Sequence, residues 1–405
     1  MSGELPPPLF FSPPVLNSAS PWATTLEDLQ TLFTCPHTGA VTTRTCLLNG
    51  FPHDPSVHQY TFFDPHSHSA TAAASIPSSS SHSPSSSLPR PPENHHSASL
   101  NTLGYSPIPL DEYLSHIRAI SLSDTAAAAA AAAPRKPFVV SVTGSPDEVA
   151  ECYRRIARCG AAMERARGSS GPAPASVSDS DPAPALAMEL NLSCPNIPGK
   201  SPPAYDGAAL APYLAAVRDA AVAAEAELAG GTDDGGGGGG GGGGGPVRLP
   251  WGLKTPPYTH AAQFETLVAA LRAAAATDGG PCPASFLTAT NTLGSCLVLE
   301  EDGDDDGGGG GAGAGTGRPK LGADGMGGMA GAPLHPLALG NVRTLRRLLD
   351  AHPATRHVDI IGVGGVDGPS AYRRMRGAGA AFVGVGTALG RKGVDVFREI
   401  GEGVH

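Results

Sequence analysis

The densest chemistry in the chain lies in Glu189-Leu190-Asn191-Leu192-Ser193-Cys194-Pro195-Asn196-Ile197-Pro198-Gly199-Lys200. Its first half alternates apolar and polar side chains, the period-2 pattern of a strand with two unlike faces. Its second half carries two prolines and a glycine and must leave the sheet as an ordered loop. A thiol and two carboxamides therefore stand where a strand gives way to a loop. In parallel α/β architectures that end of the strand is where ligands bind and reactions run. A buried structural cysteine beside a turn is the bland alternative, and the neighbouring segments decide between the two.

Two glycine clusters point the same way. Gly362-Val363-Gly364-Gly365 and Gly386-Thr387-Ala388-Leu389 each follow a short apolar run. Glycines let backbone N–H groups approach an anion, and a helix start behind them favours negative charge, so the pair reads as a phosphate site. Lys254 ends the apolar run Leu249-Pro250-Trp251-Gly252-Leu253 beside Pro256-Pro257, a poor setting for an ordinary surface lysine.

Other patterns fail on inspection. No G-x-G-x-x-G opens a helix behind an early strand, which excludes the dinucleotide fingerprint. Gly199-Lys200-Ser201 resembles a P-loop tail, but Cys194 occupies the place of its first glycine. Asp302, Asp304, Asp306 and Gly307 begin like a calcium loop, yet Gly313 stands where a bidentate glutamate is required. His66, His68, His82, His95 and His96 lack carboxylate or cysteine companions at ligand spacing, so no metal site is expected. The Asn191-Leu192-Ser193 sequon is read as chance.

The elements that must position these residues alternate between strand and helix. A first strand with its ligand-facing loop is expected over Leu9–Ala19, ending at Asn17-Ser18-Ala19-Ser20, and further strands at Gly39–Thr45, Phe138–Val142, the segment entering Asn191, Leu249–Lys254, Phe286–Asn291, Val358–Gly362 and Ala381–Val385. Helical spacing intervenes, with Thr24 or Thr25 capping one helix, and Ser145 capping another that has Pro146 in its first turn. Eight strands alternating with helices close most simply as an α/β TIM (β/α)8 barrel, here one domain over 9–405. Low-complexity tracts at 65–94, 123–136, 168–185, 230–246 and 301–317 fall between these elements and read as disordered insertions. Once they are set aside, the 405 residues leave one barrel's worth of chain, since such a barrel uses about 250 residues.

Composition narrows the function classes. A formal charge of −10 argues against a nucleic-acid partner, which requires a basic stripe. Seven cysteines, odd in number and irregular in spacing, are not a disulfide framework and suit a reducing compartment. The first residues lack a basic region followed by an apolar core, and no apolar run is long enough for a bilayer. The expectation is a soluble, cytoplasmic protein with no membrane partner.

Taken together, the segments resemble the class 1 dihydroorotate dehydrogenases, and most closely the soluble, fumarate-linked class 1A. The resemblance rests on the opening motif, Asn101-Thr102-Leu103-Gly104, Gly252-Leu253-Lys254-Thr255-Pro256-Pro257-Tyr258, Thr290-Asn291-Thr292-Leu293-Gly294, His335-Pro336-Leu337-Ala338-Leu339-Gly340-Asn341-Val342-Arg343 and the two glycine clusters. It implies an FMN enzyme that oxidises (S)-dihydroorotate to orotate, passes electrons to fumarate and forms a homodimer. Cys194 is then the base, a role that requires a setting favouring the thiolate. Asn101, Asn191, Asn196, Asn291 and Thr292, with the backbone of Leu103 and Gly104, bind the substrate. Ser18, Ala19, Arg44, Asn191, Lys254, Gly331, Gly364, Gly365, Gly386 and Thr387 bind FMN. Amide side chains suit the substrate because they offer donor and acceptor to an imide edge.

Three features depart from the family pattern. Arg44 stands where relatives have lysine, Asn17-Ser18-Ala19-Ser20-Pro21 replaces their usual first loop, and the chain stops soon after the eighth strand's helix begins. Arg44 and the altered first loop motivate a rival expectation, a barrel of the same lineage acting on another substrate or with impaired turnover. A scaffold built on the inserted tracts is the third class, and it leaves Cys194, the asparagines and Lys254 without a purpose.

Overall fold

The inner faces of the strands pack the barrel interior, and the outer faces pack against the helices. The computed structural model describes residues 4–75, 95–123, 136–168, 185–196, 202–230, 248–275, 279–300 and 317–404. The chain runs β1 (Val15–Asn17), α1 (Leu26–Thr34), β2 (Val41–Thr42), β3 (Gln59–Phe63), β4 (Ala74–Ser75), β5 (Ala98–Asn101) and α2 (Leu110–Ser121). It continues as β6 (Phe138–Val142), α3 (Pro146–Gly168), β7 (Leu186–Asn191), α4 (Gly207–Gly230), β8 (Trp251–Thr255) and α5 (Ala261–Ala273). The last third is β9 (Phe286–Ala289), β10 (Leu293–Cys296), β11 (Gly327–Gly331), α6 (His335–Asp350), β12 (Asp359–Val363), α7 (Pro369–Ala378), β13 (Phe382–Val385), α8 (Thr387–Lys392) and α9 (Asp395–Glu402).

Eight strands lie in the order β1-β13-β12-β9-β8-β7-β6-β2, every neighbouring pair parallel. A parallel bridge between Leu16 and Ala40 joins the two ends. The Asn17 side chain completes that seam, its Nδ2 donating to the Thr42 carbonyl at 2.6 Å while its Oδ1 accepts from the Thr42 N–H at 2.9 Å. The result is the expected α/β TIM (β/α)8 barrel.

Strand period fixes which side chains point where. On β7, Leu186, Met188 and Leu190 pack outward into the layer shared with the helices, while Ala187 joins the barrel interior with Val139, Phe286 and Phe382. Glu189 and Asn191 continue that inner face toward the C-terminal mouth. Both expected caps form. The Thr25 hydroxyl accepts from the Asp28 N–H at 3.1 Å, the Ser145 hydroxyl accepts from Glu148 at 3.3 Å, and the acidic side chains return the bond. Each box is worth about 1 kcal/mol.

Several expectations require correction. The first strand is confined to Val15–Asn17 because Pro13 and Pro14 lack the N–H a ladder needs. Leu9 and Phe11 turn under the barrel instead, where Phe11 stacks on Phe382 with ring centroids 4.1 Å apart. Among the described residues, five further strands exist beyond the eight expected. They form an antiparallel sheet in the order β10-β11-β5-β3-β4, contributed by the excursions after β2 and β9. β4 lies inside the stretch 65–94 read as disordered: Ala74 and Ser75 pair with Tyr60 and Gln59 at the edge of this sheet, and Ala70 bridges Phe63. Residues 76–94 lie outside the described residues, as do 124–135, 169–184, 231–247 and 301–316.

The tract expected at 123–136 ends on an anchored residue. Lys136 Nζ donates to the Phe33 carbonyl at 2.7 Å, the Cys35 carbonyl at 2.6 Å and the Thr38 hydroxyl at 2.8 Å, closing the C-terminus of α1. Beyond β13 the chain forms α8 and then α9, whose Val396, Phe397 and Ile400 are buried, so the eighth strand does have its covering helices. Among the described residues no helix is long and apolar enough to cross a membrane.

Candidate active site

A cleft at the C-terminal ends of the barrel strands, roofed by the antiparallel sheet, gathers the residues singled out above. It encloses about 1170 Å3 of space, part of it continuous with open solvent. Cys194, Asn191 and Asn196 enter it from the end of β7, and Lys254 from β8. Asn101, Leu103 and Gly104 come from β5 and the turn after it, while Asn291 and Thr292 follow β9. Ser18, Ala19 and Arg44 line it from the segments after β1 and β2, and Gly331, Gly364, Gly365, Gly386 and Thr387 from the far side. All the expected site residues therefore share one cavity, although they come from strand ends distributed around the barrel.

The asparagines are organised by one another. Asn196 Nδ2 donates to Asn101 Oδ1 at 2.9 Å and to the carbonyls of Leu103 and Asn101 at 3.0 and 3.2 Å. Asn101 Nδ2 in turn donates to the Gly328 carbonyl at 3.0 Å, so the Cys194 loop is tied to the roof sheet. Asn291 Nδ2 donates to the Ser193 hydroxyl at 3.0 Å and to Asn191 Oδ1 at 3.3 Å. Such mutual bonding fixes amide orientation before any ligand arrives.

Beneath them runs a directed chain of hydroxyls. The Ser141 hydroxyl spends its one proton on Glu189 Oε1 at 2.8 Å, so the Thr45 hydroxyl must donate to Ser141 at 2.9 Å. Thr45 then accepts from Asn191 Nδ2 at 3.0 Å. Asn191 is thereby linked through two hydroxyls to a buried carboxylate. Lys254 Nζ stands 4.0 Å from that carboxylate and donates to the Ser18 hydroxyl at 3.2 Å.

Cys194 is half-buried and lines the cleft. Burial raises its thiol pKa above the ordinary value, and the Asn196 N–H, Lys254, Arg44 and the Tyr105 hydroxyl each pull it back. Arg44 is 4% exposed, and burial lowers its pKa. One of its terminal nitrogens donates to the Gly104 carbonyl at 3.2 Å, while Nη1 has no partner among the described residues. Ser20 Oγ, Thr290 Oγ1 and Arg391 Nε in the same cleft walls are likewise buried without a partner among those residues. Buried polar atoms are rarely left unpaired, so this set fits a ligand that brings both donors and acceptors. On the glycine wall, a Cβ added at Gly386 would meet no heavy atom within 4 Å, which leaves open space at that turn. Gly365 takes φ +65°, a conformation glycine adopts without strain.

Sequence reasoning missed four contributors. Thr45 and Ser141 are ordinary strand hydroxyls with no local signal. Glu189 does carry one, a charge inside an otherwise apolar strand, but no role followed from it. Tyr105 directly follows Asn101-Thr102-Leu103-Gly104, and its meaning depends on a loop distant in sequence.

A closed parallel barrel with a thiol, a lysine, amides and two glycine turns lining one cleft at its mouth defines an α/β barrel of the kind that carries its ligand site at the C-terminal face. Comparison with known proteins makes this particular. The dihydroorotate dehydrogenase family model matches residues 312–405. The fumarate-type dihydroorotate dehydrogenase of Trypanosoma cruzi is 30% identical over 305 residues, covering 75% of this chain and 70% of the relative. Its Trypanosoma brucei brucei counterpart is 28% identical over 305 residues, with 75% and 71% covered. The A-type fumarate enzyme of Lactococcus lactis subsp. cremoris is 28% identical over 213 residues, 52% of each chain. The crystal structure of the Eimeria tenella enzyme in complex with ferulenol superposes with a TM-score of 0.56 over 96% of this chain and 80% of that one, at 16% identity, which speaks to the fold alone. The chain belongs to the dihydroorotate dehydrogenase family of oxidoreductases, which is generally flavin-dependent.

Proposed function

We propose that this protein oxidises (S)-dihydroorotate to orotate in pyrimidine biosynthesis, using FMN and returning the electrons to fumarate. The observation that carries the reading is the position of Cys194, opposite the glycine turns and between Lys254 and Arg44 in a single cleft. When bound, FMN supplies the acceptor for the hydride that leaves C6 of the substrate.

The chain's own residues do the rest. Cys194 takes the proton from C5. Lys254 and Arg44 supply the positive charge that favours its thiolate and balances the negative charge of a reduced ring. Asn101, Asn191, Asn196, Asn291 and Thr292 hold the pyrimidine by its edges, with the backbone of Leu103 and Gly104 completing the carboxylate pocket. Ser18, Ala19, Arg44, Asn191, Lys254 and Gly331 hold the flavin, and Gly364, Gly365, Gly386 and Thr387 its phosphate. The unpartnered atoms of Arg44, Ser20, Thr290 and Arg391 support this assignment, because each requires a bond that the described residues do not supply. The working unit in this reading is a cytoplasmic homodimer, each subunit a single domain over 9–405.

The test is spectroscopic. The purified protein is expected to be yellow, to bleach with dihydroorotate but not with other dihydropyrimidines, and to recover its colour with fumarate. Cys194→Ala should keep the flavin while its reduction slows by about 10²–10⁴-fold, the usual worth of a positioned base. Reduction at the parental rate removes Cys194 from the mechanism. Bleaching by a different dihydropyrimidine moves the protein to another substrate.

A further inference from the structure

Tyr105 belongs to the cleft but to none of the roles above. Its position is set by two clamps. Residues 44–46 hold both of its flanks: Arg44 donates to the Gly104 carbonyl at 3.2 Å, and the Ser106 N–H donates to the Thr45 carbonyl at 2.7 Å. The same strand end accepts the Thr143 N–H at the Cys46 carbonyl, 3.0 Å away, which brings Thr143 alongside Tyr105. From the other side, Asn196 binds the Leu103 carbonyl at 3.0 Å and so draws the Cys194 loop against this turn. The ring is steadied by an edge-on contact with Phe51, centroids 5.7 Å apart at 84°. Tyr105 lines the same cleft as Cys194, and its hydroxyl lies near enough to the Cys194 thiol and to Thr143 for each to influence its titration.

We propose that Tyr105 is a positioning residue for the reaction, its hydroxyl donating to the Cys194 thiolate while its oxygen accepts from Thr143. The inference rests on Cys194 being the base. A phenol suits the task because it keeps its proton throughout the working range: burial and the nearby thiol raise its pKa far above the ordinary tyrosine value. The direction of each bond follows. A tyrosine that stays neutral has one proton to give, and the group that gains most from it is the sulfur anion. Thr143, itself buried, then donates to the remaining lone pair. The charged and titratable groups facing the sulfur are Lys254 from β8, Arg44 from after β2 and Tyr105 from after β5; Tyr213 on α4 faces Tyr105 from behind.

The sign of the effect is fixed by which state is bonded. A donor to the thiolate lowers the thiol pKa, so removing the donor raises it and leaves less thiolate at any pH below the midpoint. The direct measurement is the rate at which iodoacetamide alkylates Cys194 in the substrate-free protein as pH is varied, followed on the Cys194 peptide by mass spectrometry. Tyr105→Phe keeps the ring against Phe51 and should move the midpoint up by about one pH unit, which is about tenfold less thiolate at a fixed lower pH. Flavin reduction below the midpoint should slow by the same factor, with KM unchanged. Thr143→Val leaves the ring in place and should move the midpoint in the same direction by less; it decides the matter if the first variant does not fold. An unmoved midpoint overturns the proposal, even where activity falls, because a merely structural tyrosine would slow the enzyme without touching the thiol. A Cys194→Ala enzyme that reduces flavin normally would instead sink the assignment of the base and leave the alkylation result standing.

Discussion

Lys254 and Glu189 face each other inside the top of the barrel, Nζ to Oε1 4.0 Å apart, with side chains 4% and 2% exposed. They stand on adjacent parallel strands, where the register sets Asn191 beside Lys254 and Glu189 beside Gly252. Glu189 also ends the hydroxyl chain from Asn191 through Thr45 and Ser141, so one carboxylate orients an amide and balances a cation.

Replacing Glu189 by Gln should therefore destabilise the protein by about 3–5 kcal/mol, the usual result of leaving a buried charge without its partner. Denaturant unfolding measures it. The double variant Glu189→Gln with Lys254→Met should recover part of the loss, because no bare ammonium is then left behind. If the single substitution costs no more than a surface change, the pair carries no structural weight and Lys254 is held by other groups.

Arg44 separates charge from shape. Burial works against its guanidinium, which donates to the Gly104 carbonyl and whose Nη1 has no partner among the described residues. Arg44→Lys keeps the charge and loses the fork, so flavin affinity and kcat/KM should stay within about tenfold of the parent. Arg44→Ala removes a charged hydrogen bond worth about 1.5–3 kcal/mol and should weaken flavin retention by about 10–100-fold. Flavin release on dilution, followed by fluorescence, distinguishes the two. Equal loss in both variants would mean that the planar fork, rather than the charge, binds the ligand.

The barrel was legible because its signals are local and repeated. Phe138–Val142 and Phe286–Ala289 are short apolar runs bounded by turns, and Thr25 and Ser145 announce helices that do form. The roof sheet gives no such signal. β11 is Gly-Gly-Met-Ala-Gly, poor in the β-branched side chains that mark strands, and β4 is two residues at the edge of a Ser- and His-rich tract. Both become strands through their pairing partners, Gly328 with Asn101 far along the chain and Ala74 with Tyr60 across the intervening turn. The site divides the same way. Cys194, Lys254 and the asparagines stood out because thiols, cations and amides at strand ends are chemically conspicuous. Thr45, Ser141 and Tyr105 acquire meaning only once the barrel closes and sets the segment after β2 beside β6 and β7.

Asn196 provides the sharpest test of that convergence. Its amide hydrogens serve three oxygens, Asn101 Oδ1 and the Asn101 and Leu103 carbonyls, all within 3.2 Å, and so couple the Cys194 loop to the end of β5. Asn196→Ala leaves those acceptors without their donor, a cost of about 1–3 kcal/mol. Because the loosened groups line the substrate pocket, the loss should fall on KM for dihydroorotate, raised by about tenfold or more, and less on the melting temperature. Asn196→Asp is the discriminating variant. It keeps the size of the side chain but turns an acceptor-only carboxylate toward three oxygens, so it should bind substrate more weakly than the alanine variant. If aspartate outperforms alanine, the amide hydrogens are not what holds the loop, and shape alone sets the pocket.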